Sequence, residues 1–160
     1  MVAAEERATA QRPQTLGERV QAAMADSAAA RRLSDDELEC VHSMGQSLMR
    51  AGRLDKALSL LLVCALYRPH NARYLLAVGL CHRRLGRDIE ALQALALATS
   101  MDPMNYDAAL LCAECLLRLR RTDEARKVLA ALAECGRVVP QAKTHGARAQ
   151  ALLDLLGRAA

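Results

Sequence analysis

The chain has no phenylalanine and no tryptophan, and only three tyrosines among its 160 residues. A core without large aromatics has to be assembled from Leu, Ala, Val, Met and Cys, side chains that favour helix over strand. The expected fold class is therefore all-α. The same scarcity argues against single-stranded nucleic acid as a partner, because such ligands are gripped by stacking bases on aromatic rings. Charge agrees. The 22 Lys+Arg and 18 Asp+Glu leave a net +4, and the basic residues are scattered rather than massed. No nucleic-acid partner is expected.

Long apolar runs are also missing. The stretch "ALSLLLVCALY", residues 57–67, is well short of the ~20 residues that span a bilayer. The opening "MVAAEERATAQRPQ" carries two Glu and no apolar segment, unlike a secretory signal. The reading is a cytoplasmic protein with no direct membrane insertion. Without a secretory context, Cys40, Cys64, Cys81, Cys112, Cys115 and Cys135 read as reduced core thiols rather than disulfides. Motifs for chemistry are lacking as well. His42, His70, His82 and His145 form no H-x-x-x-H pair, and there is no phosphate loop. The lone C-x-x-C, Cys112 to Cys115, falls inside an expected helix and reads as core. His82 reads as a packed histidine. No cofactor, no metal and no enzymatic activity are expected.

What the chain does have is repetition. "GRLDKAL" at 52–58 returns as "GRDIEAL" at 86–92 and "RRTDEAR" at 120–126, each 34 residues on. Gly45, Gly79 and Ala113 keep that spacing, as do Ala57, Ala91 and Ala125, and Leu61, Leu95 and Leu129. Pro69 and Pro103 match, with Arg137 in the third slot, and Asn71 and Asn105 close the first two units. A 34-residue period of this layout resembles the tetratricopeptide repeat, two antiparallel helices per unit. Small residues at 45, 79 and 113 and at 57, 91 and 125 let paired helices approach, with the Leu column filling the space beside them. Gly52 and Gly86 relax the turns, and Arg120 in the third unit predicts a turn that differs in detail.

The expected organisation is a disordered tail over 1–13, an N-terminal helical arm over 14–32 and three repeats over 33–139. The repeats fall at 38–71, 72–105 and 106–139, followed by a C-terminal capping helix over 140–160. Together they form an α-solenoid. The arm carries the stripe Leu16, Val20, Ala23, Met24 and Ala28. Ser34 and Glu37 form a capping box, with Leu33 and Leu38 as a staple, so a helix starts near Asp35. After Pro140, Ala149, Leu152, Leu153 and Leu156 form the stripe that covers the end of the third repeat.

Repeat arrays bind partners on the face lined by the first helix of each unit. In the first unit the expected core stripe is Val41, Met44, Gly45 and Leu48. One residue further round lie His42, Gln46 and Met49, whose counterparts are Leu76, Leu80 and Arg83, then Leu110, Glu114 and Leu117, with Arg73 alongside. These ten residues are the candidate groove. Its leucines suit an extended peptide with apolar side chains. Helical periodicity alone does not separate an open groove from leucines covered by the terminal helices. The carboxylate clamp by which some such repeats hold heat-shock chaperone tails is absent, since its positions carry His42, Gln46, Ala77, Asp107 and Leu111.

The stretches "MGQSLMRAGRLDKALSLLLVCALYRPHNARYLLAVGLCHRRLGR", "EALQALALATSMDP" and "AALLCAECLLRLRRTDEA" resemble the bacterial type III secretion chaperones of class II, the translocator chaperones of the LcrH/SycD kind. That resemblance implies a non-enzymatic bacterial protein that keeps hydrophobic translocator proteins soluble and secretion-competent. It would bind an extended N-terminal segment of the translocator in the groove. It also implies a homodimer formed through residues 14–32. The alternatives are a needle-subunit chaperone, a shorter kind of repeat generally without the long arm, or a generic tetratricopeptide adaptor.

Overall fold

The computed structural model describes residues 33–158, so the expected tail and arm lie outside the described residues. Contacts divide the chain into 1–37 and 38–160, and all the described helices fall in the second unit except for the first residues of α1. They are α1 (Asp35–Arg50), α2 (Leu54–Tyr67), α3 (Ala72–Arg84), α4 (Asp88–Met101), α5 (Tyr106–Arg118), α6 (Thr122–Val138) and α7 (Lys143–Arg158). A 3-10 turn at Pro140–Ala142 precedes α7. From α2 onward each helix packs on the next, and the first helices also touch one another, α3 with α5 and α5 with α7. The fold is all-α and built from helical pairs, as the period predicts.

Local chemistry sets the helix ends. The capping box forms: Ser34 N–H donates to Glu37 Oε2 at 2.7 Å, and Glu37 N–H donates to Ser34 Oγ at 3.3 Å. Asn71 and Asn105 do not close units, as expected, but open the next ones. Their side chains accept from Arg73 N and Ala108 N at 3.0 and 3.1 Å, capping α3 and α5. Both second helices stop two residues before their prolines, at Tyr67 and Met101. With Arg137 in that slot, α6 runs on to Val138, until Pro140 ends it.

The third turn is a correction. Arg120 adopts φ 61°, beside 75° at Gly52 and 74° at Gly86. The bonds match too: Arg53 N to Leu48 O, Arg87 N to His82 O and Arg121 N to Leu116 O at 2.9, 3.0 and 2.9 Å. All three turns are therefore the same left-handed helix stop, and in the third an L side chain is held where glycine is favoured.

The small columns are close helix contacts. A Cβ on Gly45 would sit 2.9 Å from Leu61 Cδ2, and one on Gly79 would sit 2.6 Å from Leu95 Cγ. Ala57, Ala91, Ala125, Leu61, Leu95 and Leu129 are fully buried. The expected stripe of the first unit needs correcting, because Met44 is 59 % exposed. Its counterparts Val78 and Cys112 are covered by the preceding repeat, and Met44 has no repeat before it. On α1 the buried stripe is instead Leu38, His42 and Gly45.

The closing helix is seated by a feature the repeat columns do not reveal. A Cβ on Gly146 of α7 would lie 2.6 Å from Gly136 Cα of α6, and the reverse distance is also 2.6 Å. The two backbones touch, and Ala149, Leu152, Leu153 and Leu156 pack over Leu129, Leu132 and Ala133.

Candidate functional site

The first helices α1, α3, α5 and α7 present the candidate groove residues, and the structure sorts them into two groups. Leu76 and Leu80 of α3 meet Leu110, Leu111 and Glu114 of α5 around a cavity of about 350 Å3, with Asp107 and Arg148 at its rim. Leu110 is nearly fully buried beneath it, among Tyr106, Ala113 and Leu129. Leu76, Leu80 and Leu111 are half-buried and form its walls. The stripe of α7 packs on α6 and does not fill this space.

Arg83 joins through Glu114, whose Oε2 accepts from Arg83 Nη2 while its Oε1 accepts from Arg148 Nη2 at 2.7 Å. The Glu114 side chain is only 12 % exposed, so its charge is balanced by the two guanidiniums rather than by water. At the start of α5, Asp107 Oδ1 lies 2.9 Å from His145 Nε2 of α7. The closing helix thus supplies Arg148 to the rim of the cavity and His145 as the partner of Asp107.

The remaining candidates lie outside this cavity. His42 is completely buried, with its ring 5.0 Å from that of Tyr74 and its Nε2 3.4 Å from Gln46 Nε2. Burial, with the Arg73 charge nearby, lowers its pKa below the usual histidine value, and Glu39 partly opposes this. Arg73 forms a two-pronged pair with Glu39 at 2.7 and 3.0 Å. Met49 is half-buried against the Ala57, Leu61 and Cys81 cluster, and its carbonyl accepts from Arg84. Leu117 is half-buried towards the end of α5.

Arg148, Asp107, Leu111 and His145 were not among the groove candidates. A signal for Arg148 was present: the column Gln46, Leu80 and Glu114 continues 34 residues later at 148. In its groove-facing position α7 behaves as a further first helix.

The cysteines of the C-x-x-C are buried, and burial pushes the Cys112 thiol up to about 11 and raises that of Cys115 as well. Such thiols are poor nucleophiles and poor metal ligands. His82 is half-buried, with its pKa lowered chiefly by burial. Among the described residues, no helix is long and apolar enough to cross a membrane.

Two tetratricopeptide repeat models match the chain, over residues 42–103 and 86–156. The fold is similar to that of PcrH from Pseudomonas aeruginosa, at 29 % identity and a TM-score of 0.72, covering 78 % of this chain and 95 % of that one. PcrH in complex with the chaperone binding region of PopD matches at 28 % identity and a TM-score of 0.74, covering 79 % of this chain and 96 % of that one. The translocator chaperone SycD of the Yersinia enterocolitica type III secretion system shares the fold, at 22 % identity and a TM-score of 0.73, covering 79 % of this chain and 88 % of that one. No curated protein sequence matches the chain.

Proposed function

We propose that this chain, which belongs to the tetratricopeptide repeat family, is a non-enzymatic type III secretion chaperone of the bacterial cytoplasm. It holds a hydrophobic translocator protein soluble until export. The observation that carries this reading is the leucine-walled cavity between α3 and α5, rimmed by α7. Its supporting context is that PcrH has been solved with the chaperone binding region of PopD.

The physical role follows from the client's chemistry. A protein destined to enter a membrane exposes apolar surface in water and aggregates unless that surface is covered. An extended segment lies across the first helices, and its aliphatic side chain enters the space between Leu76, Leu80 and Leu110. Each such side chain contributes roughly 1.5–3 kcal/mol when fully buried. The ten candidate groove residues divide the labour. Those around the cavity hold the apolar anchor, Arg73 and Gln46 receive polar parts of the segment, and His42 packs beneath them. The stripe of residues 14–32 is the surface assigned to self-pairing.

The test is co-expression with the hydrophobic proteins encoded nearby, followed by co-purification and mass spectrometry. The wild-type chain is expected to retain one or more of them. A Leu76→Asp/Leu80→Asp double variant is expected to keep its helicity and melting temperature nearly intact while losing capture. A double variant that unfolds would place both leucines in the core and remove this groove.

A further inference from the structure

The polar rim of the cavity is unevenly charged. Both oxygens of Glu114 are already taken, one by Arg83 and one by Arg148, so the carboxylate has no capacity left for a further cation. The two guanidiniums are far from satisfied. Arg83 Nε is buried and has no hydrogen-bond partner among the described residues. Arg148 uses Nη2 on Glu114, its side chain is 64 % exposed, and it lines the cavity. This end of the rim carries one positive charge more than it neutralises. The other end, about 10.5 Å away along α5 by helical rise, carries Asp107, which is 71 % exposed and faces His145. The rim is therefore polarised, positive at Glu114 and negative at Asp107.

A peptide in the groove meets that polarity directly. In an extended segment, residues i and i+2 point to the same side, about 6.8 Å apart. If one of them places an aliphatic side chain among Leu76, Leu80 and Leu111, the other reaches the Glu114 end of the rim. A carboxylate there accepts the guanidinium hydrogens that Glu114 leaves unused. An ammonium there meets two arginines and no free acceptor. Partial enclosure by leucines strengthens both effects.

We propose that Arg148, held by Glu114 beside Arg83, is a specificity-determining residue of the groove. It selects an extended segment with an Asp or Glu two residues from the aliphatic side chain seated in the cavity. This inference rests on the groove reading above and adds the chemistry of the segment the groove accepts.

The probes are fluorescein-labelled dodecapeptides with a single leucine and Glu, Gln or Lys two residues from it, on either side, titrated by anisotropy into the full-length chain. The expected order of affinity is Glu, then Gln, then Lys, with about tenfold between the first and last. Arg148→Glu is expected to invert that order, and Arg148→Met, which keeps an apolar stem, to flatten it. Circular dichroism checks that both variants are folded. If Leu80→Asp abolishes all binding while the order ignores both Arg148 variants, the groove stands and carboxylate selection falls. If no peptide binds, or binding ignores Leu80→Asp, the groove reading falls and takes this inference with it.

Discussion

The face made by the first helices has two halves built on the same columns with opposite chemistry. Between α1 and α3, the Glu39–Arg73 pair and Gln46 give a polar, hydrogen-bonded surface over the buried His42. Between α3, α5 and α7, leucines at the equivalent positions open a cavity, and the charges retreat to its rim. A repeat therefore specifies where a side chain points, while the residue chosen in each unit decides whether that position binds, packs or pairs. Position 42 shows this most clearly. Its counterparts are Leu76, a cavity wall, and Leu110, the floor beneath it, whereas the imidazole is sealed between Gln46 of α1 and Tyr74 of α3.

The largest effect on this contrast is expected from the seat of α7. Gly146→Ala forces a methyl group into the Gly136 backbone, which has no flexible side chain to move aside. The variant should lose roughly 2–3 kcal/mol in urea unfolding. Displacement of the helix should also weaken peptide binding on the cavity side, because Arg148 and His145 move with it. Unchanged stability would mean that α7 is not seated through this glycine pair.

The polar half is expected to answer to pH. His42 is held neutral in the folded chain chiefly by burial, and its pKa is lowered. Between its folded pKa and the ordinary value near 6.5, the unfolded chain binds more protons. The contribution is present in full above the ordinary value and is lost as pH falls below it towards the folded pKa. Urea midpoints should decline from pH 7.5 to 5.5. His42→Leu should shrink the slope without abolishing it, because His82 is shifted in the same direction. An equal slope in the variant would exclude His42 as the source.

The smallest effect belongs to a site outside both halves. Arg120→Gly relieves an L residue held at φ 61°, offset in part by the greater freedom of glycine in the unfolded chain. The net is a gain of about 0.5–1 kcal/mol, read as a higher melting temperature with peptide binding unchanged. A loss of stability would mean that the Arg120 side chain contributes more than its backbone costs.

Much of this molecule is legible in the letters. The 34-residue period predicts the helical pairs, the columns of small residues predict their crossings, and Ser34 with Glu37 predicts a helix start. The cavity was partly legible: Leu76, Leu80, Leu110 and Glu114 came from counting columns, and the structure brings them together. Met44 was misread because its column is buried only where a preceding repeat covers it. Arg148 escaped because α7 was read as a cap whose stripe covers the end, without extending the column to it.

By itself, the sequence determined what is periodic and local: element type, the register of the repeats, the small-against-large crossings and the residues that stop and start helices. These depend on neighbours along the chain or on a spacing that recurs. Only the tertiary structure decided which leucines wall a cavity and which lie beneath it, that His42 is sealed, and that α7 brings Arg148 to Glu114. Those outcomes depend on what covers each side chain from another helix, and that cover is a property of the packed array rather than of any one segment.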